Sequence, residues 1–250
     1  MKVLLITQAR IGSTRLPGKV LLPIGEETLL SVHLKRLRKC TMIDQIVVAT
    51  TFEDNVENLI GICKKSEVDF YQGSLEDVLD RFYQTAFKYQ PDWVVRVTSD
   101  CPLLDSRVVD QVVRKAIEGD FDYCANTITE DFPDGQDVEA FKFSALKRAW
   151  KEANFKSERE HVTPYIRNNT NLKGGQLFTA YDVKCHSNFN AIRMTVDEEA
   201  DLIAIKRIID ELGTNSTWEE YAEYIIEHYD SIGNTRIIRN EGYLKSVTKD

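Results

Sequence analysis

The chain has 250 residues, 42% of them hydrophobic and 29% charged, which is the composition of an ordinary globular protein with room for one large core. Its formal net charge of -8 excludes a general nucleic-acid binder, which needs a basic face to displace counterions. A nucleotide site remains open, because a few cations focused in one cleft suffice for a small anion. The first predicted element is Val3-Leu4-Leu5-Ile6, an uninterrupted apolar run that reads as a buried strand of a parallel sheet. It opens into Gln8-Ala9-Arg10-Ile11-Gly12-Ser13-Thr14-Arg15-Leu16-Pro17-Gly18-Lys19. Gly12 and Gly18 permit tight turns and bring N–H groups close to an anion. Arg10 and Arg15 offer forked donors, and Lys19 a mobile point charge. The alternative is a surface loop whose charges are simply solvated. A Walker A loop is disfavoured: five residues separate Gly12 from Gly18, and Val20 stands where a magnesium-binding hydroxyl belongs.

The spacing then predicts an amphipathic helix from Thr28 to Cys40, with Lys35-Arg36 and Arg38-Lys39 on a cationic outer face. A strand at Gln45–Thr50, a helix around Asn55–Lys65 and a strand at Val68–Tyr71 follow. Ser74 is the expected cap of a helix running through Tyr89, before a fourth strand at Trp93–Thr98. Alternating strands and helices specify a mostly parallel α/β sheet of right-handed connections. The first strand is not followed by G-x-G-x-x-G, which disfavours a dehydrogenase-type dinucleotide site. After about Phe121 the rhythm breaks. Asp131-Phe132-Pro133-Asp134-Gly135 is turn chemistry, with helices expected near Ser144–Ala153 and Ser157–Asn168. Strand character returns at Asn190–Val196, then helices at Glu198–Leu212 and Thr217–Tyr229, the last with a Thr217/Glu220 capping box. Residues 1–229 form one expected domain, and 230–250 an irregular polar tail on which Tyr243 and Leu244 could dock.

The five cysteines are widely spaced and odd in number, so reduced core thiols are expected rather than disulfides or a zinc cluster. With no secretory leader and no apolar run of membrane-spanning length, a cytoplasmic location is the expectation.

The run R-x-x-S-x-R-L-P-G-K over Arg10–Lys19 resembles the signature of the cytidylyltransferases that activate acidic sugars. Those include the 3-deoxy-manno-octulosonate and acylneuraminate enzymes and the related spore coat polysaccharide biosynthesis protein F family. Five later stretches match in order: Gly73-Ser74-Leu75-Glu76-Asp77-Val78-Leu79-Asp80-Arg81, Thr98-Ser99-Asp100-Cys101-Pro102, Asp134-Gly135-Gln136-Asp137-Val138-Glu139, Glu160-His161-Val162-Thr163-Pro164-Tyr165, and Val196-Asp197 with Asp201. The resemblance implies a Rossmann-like nucleotidyltransferase core with an inserted dimerisation arm, about 127–181, and hence a homodimer. A two-fold contact through that arm would bury Phe132, Phe141 and Phe143. It also implies CTP as the nucleotide, bound by Ala9, Arg10, Gly12, Ser13, Lys19, Ser74, Arg81 and Asp100. Asp100 and Asp197 are implied ligands of Mg2+, which prefers oxygen donors. Physically, Asp100 could equally be a turn residue and Asp197 a helix cap, and Arg81 could pair with Asp77 four residues earlier. Asp201, one turn on from Asp197, is read as supporting or solvated. For an acidic sugar-like acceptor the candidates are Arg159 and His161, with Gln136, Asp137 and Glu139 opposite; a lone helical His is otherwise a structural residue.

The expected reaction is CMP transfer from CTP with release of pyrophosphate, for surface polysaccharide or glycan synthesis. Arg10, Arg15, Lys19, Asp100 and Asp197 are the expected catalytic set. Two alternatives stand beside it: a transferase using another nucleotide or a sugar 1-phosphate, and a nucleotide-binding module without turnover. The Ser-Asp-Cys-Pro form departs from the Gly-Asp-Glu-Pro of the octulosonate enzymes, which leaves the sugar open.

Overall fold

In a computed structural model that describes residues 1–234, 237, 239–248 and 250, a seven-stranded sheet carries the chain. Its first strand, β1 (Val3–Gln8), is an interior strand, third of the seven. The hairpin β2 (Pro23–Ile24) and β3 (Glu27–Thr28) leads into helix α1 (Leu29–Leu37), capped by the Thr28 hydroxyl. Next come β4 (Gln45–Thr51), α2 (Val56–Lys65), β5 (Asp69–Gly73), α3 (Val78–Tyr89) and β6 (Trp93–Thr98). β4 and β6 flank β1, all parallel, and β5 lies outside β4. The uninterrupted apolar run of β1 has a direct cause. Val3 and Leu5 pack into the core on one face of the sheet, Leu4 and Ile6 into the core on the other. All four are buried, each contributing about 2 kcal/mol.

Beyond β6 the chain runs through α4 (Ser106–Glu118) to β7 (Tyr123–Ala125), then β8 (Glu139–Lys142). β8 inserts between β6 and β7, antiparallel to both. Helices α5 (Phe143–Glu152), α6 (Lys156–His161) and α7 (Pro164–Asn168) precede β9 (Ala180–Asp182), which pairs parallel with β7. Segment 127–181 therefore extends the main sheet instead of projecting from it. Phe141 and Phe132 are buried within the domain and Phe143 is half-buried against Tyr83, so the first two are not available to a second copy. The helix expected over 157–168 is two helices, because Val162 adopts a left-handed φ of 72° ahead of Pro164.

Helices α8 (Glu199–Leu212), α9 (Trp218–Glu227), α10 (Tyr229–Ile232) and α11 (Glu241–Val247) complete the chain. The Thr217/Glu220 capping box forms as expected. Four local expectations give way to non-local partners. Asn190–Val196 is extended but not a strand: Asp134, Ile192, Met194, Val196 and Asp100 exchange backbone bonds between two loops, with one bridge at Asp134 and Arg193. Arg36 is buried, not solvated, and donates to the carbonyls of Leu104, Thr214 and Ser216. Asp77, not Ser74, caps α3; the Ser74 hydroxyl accepts from the Asp77 N–H at 3.0 Å. Within the tail Glu241–Val247 forms a helix, and Tyr243 docks while Leu244 stays exposed. All five cysteines are free, as expected.

Candidate active site

β1 and β6 end side by side, with Gln8 paired to Thr98, at the point where the chain turns from one side of the sheet to the other. Open α/β sheets place ligands at such a switch point. Two adjoining clefts open here, of about 380 and 260 Å3. Gln8, Arg15, Thr98, Asp100, His161 and Asp197 line both.

The phosphate loop supplies the larger cleft with Ala9, Arg10, Ser13, Arg15 and Lys19. Gly18 holds a left-handed φ of 67°, which starts the short helical turn Lys19–Leu21 and anchors it on buried Val20. Gly12 does something other than expected. Its N–H and that of Ile11 donate to the Glu53 carboxylate, at 3.0 and 3.2 Å. A Cβ at Gly12 would lie 2.2 Å from Glu53 Oε1. A side chain at position 12 would push aside the Glu53 carboxylate that reaches in from the β4–α2 loop, and Gly12 does not line the cleft. Ser74 does not line it either; its carbonyl accepts from Arg81, which does. Burial, with Arg10 nearby, brings the Arg81 guanidinium down to about 10. Asp77 is not its partner.

At the junction, Lys19 Nζ lies 2.8 Å from Asp100 Oδ2 and 2.9 Å from Asp197 Oδ1. Two residues remote in sequence thus point at one cation. Burial alone would raise the Asp100 carboxyl, but Lys19 overrides it and holds it well below the usual carboxylate range. Burial would likewise lower Lys19, and the two carboxylates instead hold its ammonium above its ordinary value. Asp197 also meets Arg15 at 2.9 Å and Arg193 at 3.2 Å. Asp197 is not the cap of α8. That position belongs to Glu198, and fully buried Asp201 accepts from the N–H groups of Asp197 and Glu198 while holding Arg193. Asp201 positions the site, and the Asp197 carboxylate is left for cations. Asp100 is steadied through His33: its Nδ1–H donates to the Cys101 carbonyl at 2.9 Å, and its Nε2 accepts from Thr7 at 3.0 Å. Burial brings His33 down to about 4, so it is neutral.

Two converging carboxylates fit a divalent cation that binds through one or two carboxylates together with substrate phosphates. Among the described residues no larger acid or histidine cluster forms a dedicated metal cage.

The smaller cleft is lined by Asp137, Glu139 and His161, three of the acceptor candidates, and also by Arg96, Arg167, Arg193, Arg239 and Tyr243. Arg96 pairs with Glu139 at 2.6 Å and Arg239 with Asp137 at 2.5 Å. Arg193 pairs with Asp134 at 2.5 Å. Arg167 lies over the Tyr243 ring, 5.0 Å from its centroid, with no carboxylate partner among the described residues. Gln8 Oε1, Arg96 Nε, Thr127 Oγ1, His161 Nε2 and Arg239 Nε are buried polar atoms of this cleft without a partner among the described residues. Burial, with Arg96 second, brings His161 down to about 4.

Two expected acceptor residues fall elsewhere. Gln136 is fully buried, accepting from the Asp105 N–H at 2.9 Å and donating to the Leu103 carbonyl at 3.0 Å. Arg159 donates to Asp77 at 3.1 Å and to the Trp150 carbonyl at 2.7 Å, tying α6 to α3. Of the unforeseen residues, Arg96 did carry a signal, as a charge inside an otherwise apolar strand. Arg167, Arg193, Arg239 and Tyr243 carried none, because long-range packing brings them here.

The family model for cytidylyltransferases matches residues 4–241. This chain belongs to the cytidylyltransferase family. It is 32% identical over 217 residues to spore coat polysaccharide biosynthesis protein SpsF of Bacillus subtilis, covering 84% of this chain and 88% of that protein. An uncharacterized protein of Methanocaldococcus jannaschii is 42% identical over 172 residues, 69% of this chain and 70% of its own. Among solved structures, a cytidylyltransferase from Leptospira borgpetersenii serovar Hardjo-bovis superposes with a TM-score of 0.87 at 33% identity, covering 96% of this chain and 100% of that one. A CMP:2-keto-3-deoxy-manno-octonic acid synthetase complexed with CTP gives 0.61 at 16% identity, over 84% and 99%, a likeness of fold. As a nucleotidyltransferase, this cytidylyltransferase places the junction of its two clefts where the sheet changes direction. No described helix is long and apolar enough to cross a membrane.

Proposed function

We propose that the chain transfers CMP from CTP to an acidic, hydroxylated sugar-like acceptor and releases pyrophosphate. The observation that carries this is the shared edge of the two clefts, with Lys19, Asp100 and Asp197 between a phosphate-binding side and a densely polar side. The acceptor oxygen attacks the α-phosphorus, the bond to the bridging oxygen breaks, pyrophosphate leaves with that electron pair, and the hydroxyl proton is lost. Little covalent chemistry falls to the protein; positioning and charge stabilisation lower the barrier. Arg10, Arg15 and Arg81 hold the triphosphate and offset charge on the departing pyrophosphate. Asp100 and Asp197 would hold Mg2+, which supplies Lewis-acid stabilisation of the reacting oxygens when bound. On the acceptor side Arg167 suits a carboxylate. The unpartnered atoms of Gln8, Thr127 and His161 suit hydroxyls, since each is costly to leave buried and unmade. Neutral His161 serves as a hydrogen-bond partner, its low basicity making it a poor general base at pH 7.

The kinship with SpsF supports a place in surface polysaccharide synthesis. A homodimer, if formed, would use residues other than Phe132 and Phe141. The test is pyrophosphate release with CTP, UTP, ATP and GTP against a panel of 2-keto-3-deoxy acids, neutral sugars and sugar 1-phosphates. Release with CTP and an acid only is expected. Release with another nucleotide, or with a sugar 1-phosphate only, would replace this reading.

A further inference from the structure

Lys19 has two possible partners and one backbone position. Its ammonium lies between Asp100 and Asp197, with the side chain 14% exposed, and the same residue lines the nucleotide cleft beside Arg10 and Ser13. Its main chain is set by Gly18 and by buried Val20. Four flexible methylenes therefore separate a fixed Cα from a charge that can face either way. Arg15, the other loop cation on Asp197, meets it through an exposed side chain, and Arg193 is held by Asp134 and Asp201 as well. Among the described residues Lys19 alone pairs with both carboxylates.

We infer that Lys19 is an exchangeable counter-ion of the Asp100–Asp197 pair, competing with a divalent cation for it and turning to the triphosphate when nucleotide and cation arrive together. The charges balance in that direction. The dicarboxylate trades one positive charge for two, and the lysine moves to a polyanion that needs it. Free metal must displace Lys19 with no phosphate to receive its charge, so it binds weakly; metal carried by the nucleotide supplies that receiver. Loading is thereby biased toward the nucleotide complex, which guards the site against stray divalent ions. This rests on the metal role of the two carboxylates given under the proposed function.

The probe is Mn2+, titrated into the full chain without nucleotide, with the free ion followed by electron paramagnetic resonance. Lys19→Met keeps length and removes charge, while Lys19→Gln also keeps N–H donors for the carboxylates; melting curves establish that each is folded. Both are expected to bind one Mn2+ about tenfold or more tightly than the unaltered chain, since a competing charge at contact distance is gone. Their melting temperatures should rise with added Mn2+ more than that of the unaltered chain. Adding Asp100→Asn or Asp197→Asn to Lys19→Met should cancel the gain. Affinity no tighter in the folded Lys19 variants, or a gain that survives loss of both carboxylates, overturns the exchange. A separate arm follows the spectrum of Mn2+–CTP bound to the unaltered chain and to Asp197→Asn. If that spectrum changes while Lys19 variants gain nothing, the carboxylate metal site stands and the exchange alone is wrong. If neither responds, the metal reading fails and the exchange with it.

Discussion

The two clefts present positive charge in opposite ways. In the larger cleft Arg10 is exposed, Arg15 is 37% exposed where it meets Asp197, and Lys19 reaches Asp100 and Asp197 on a flexible stem, so these cations can change partners. On the acceptor side Arg96, Arg193 and Arg239 are each locked to a carboxylate of the same wall. Mobile cations suit a triphosphate, whose charge is large and whose geometry changes as pyrophosphate departs. A paired lattice contributes little net charge but fixes donors and acceptors, which suits discrimination between hydroxylated molecules. The sheet brings the two together at one edge, where the proposed reaction would take place.

The strongest test of that division is Asp197→Asn. Because Glu198 and Asp201 do the capping, asparagine should leave α8 intact while turnover falls about a thousandfold, a loss of alignment at the junction. CTP affinity, measured by calorimetry, should change only a few fold. A folded variant with near-normal turnover would remove Asp197 from the mechanism.

Lys19→Ala probes the loop cation at the junction. CTP affinity should fall about tenfold to a hundredfold, as expected for losing a charge-assisted contact of roughly 1.5–3 kcal/mol. The melting temperature should fall as well, because Asp100 loses its cation. Unchanged affinity in a folded variant would make the loop charges mere surface.

A third test uses the histidines that brace each side. His33 and His161 are both held near 4 by burial, below the ordinary value of 6.5. The unfolded chain then binds more protons, so their stabilisation is complete above about pH 6.5 and is lost as pH falls toward about 4. For fully buried His33 the loss is on the order of 3 kcal/mol, read from urea midpoints across that window. His33→Gln should flatten the slope; an unchanged slope would place the titration elsewhere.

The smallest effects separate Arg167 from Arg159, two arginines of neighbouring helices. Arg167→Met should raise the acceptor KM about tenfold and leave CTP binding untouched. Arg159→Met should leave both kinetic constants alone and cost about 1–2 kcal/mol of stability, because its partner Asp77 caps α3. The reverse pattern would exchange their roles.

The fate of individual residues shows what kind of information a sequence holds. The Arg10–Lys19 loop was legible because strand, turn and cations are contiguous, and the strand rhythm through Thr98 was legible because hydrophobic periodicity is local. Asp100 was legible as a strand-end carboxylate and Asp197 from its motif, the strand expected before it being extended loop; only the tertiary structure shows them sharing one ammonium. Gln136 and Arg159 looked like ligands because they are polar residues in matched motifs; their side chains are consumed by Leu103, Asp105, Asp77 and Trp150. Gly12 was placed on a phosphate, and the structure gives its N–H to Glu53.

By itself, the sequence determined the alternation of strands and helices, the phosphate loop and the family, since each rests on residue type at short spacing. The tertiary structure alone decided that segment 127–181 joins the main sheet through β8, that the tail forms a helix over the acceptor cleft, and which arginines are already paired. Those outcomes depend on partners as remote as the 102 residues between Arg239 and Asp137. A side chain's hydrogen-bonding and charge are satisfied by whatever the fold brings within about 3 Å, and no local pattern specifies that neighbour.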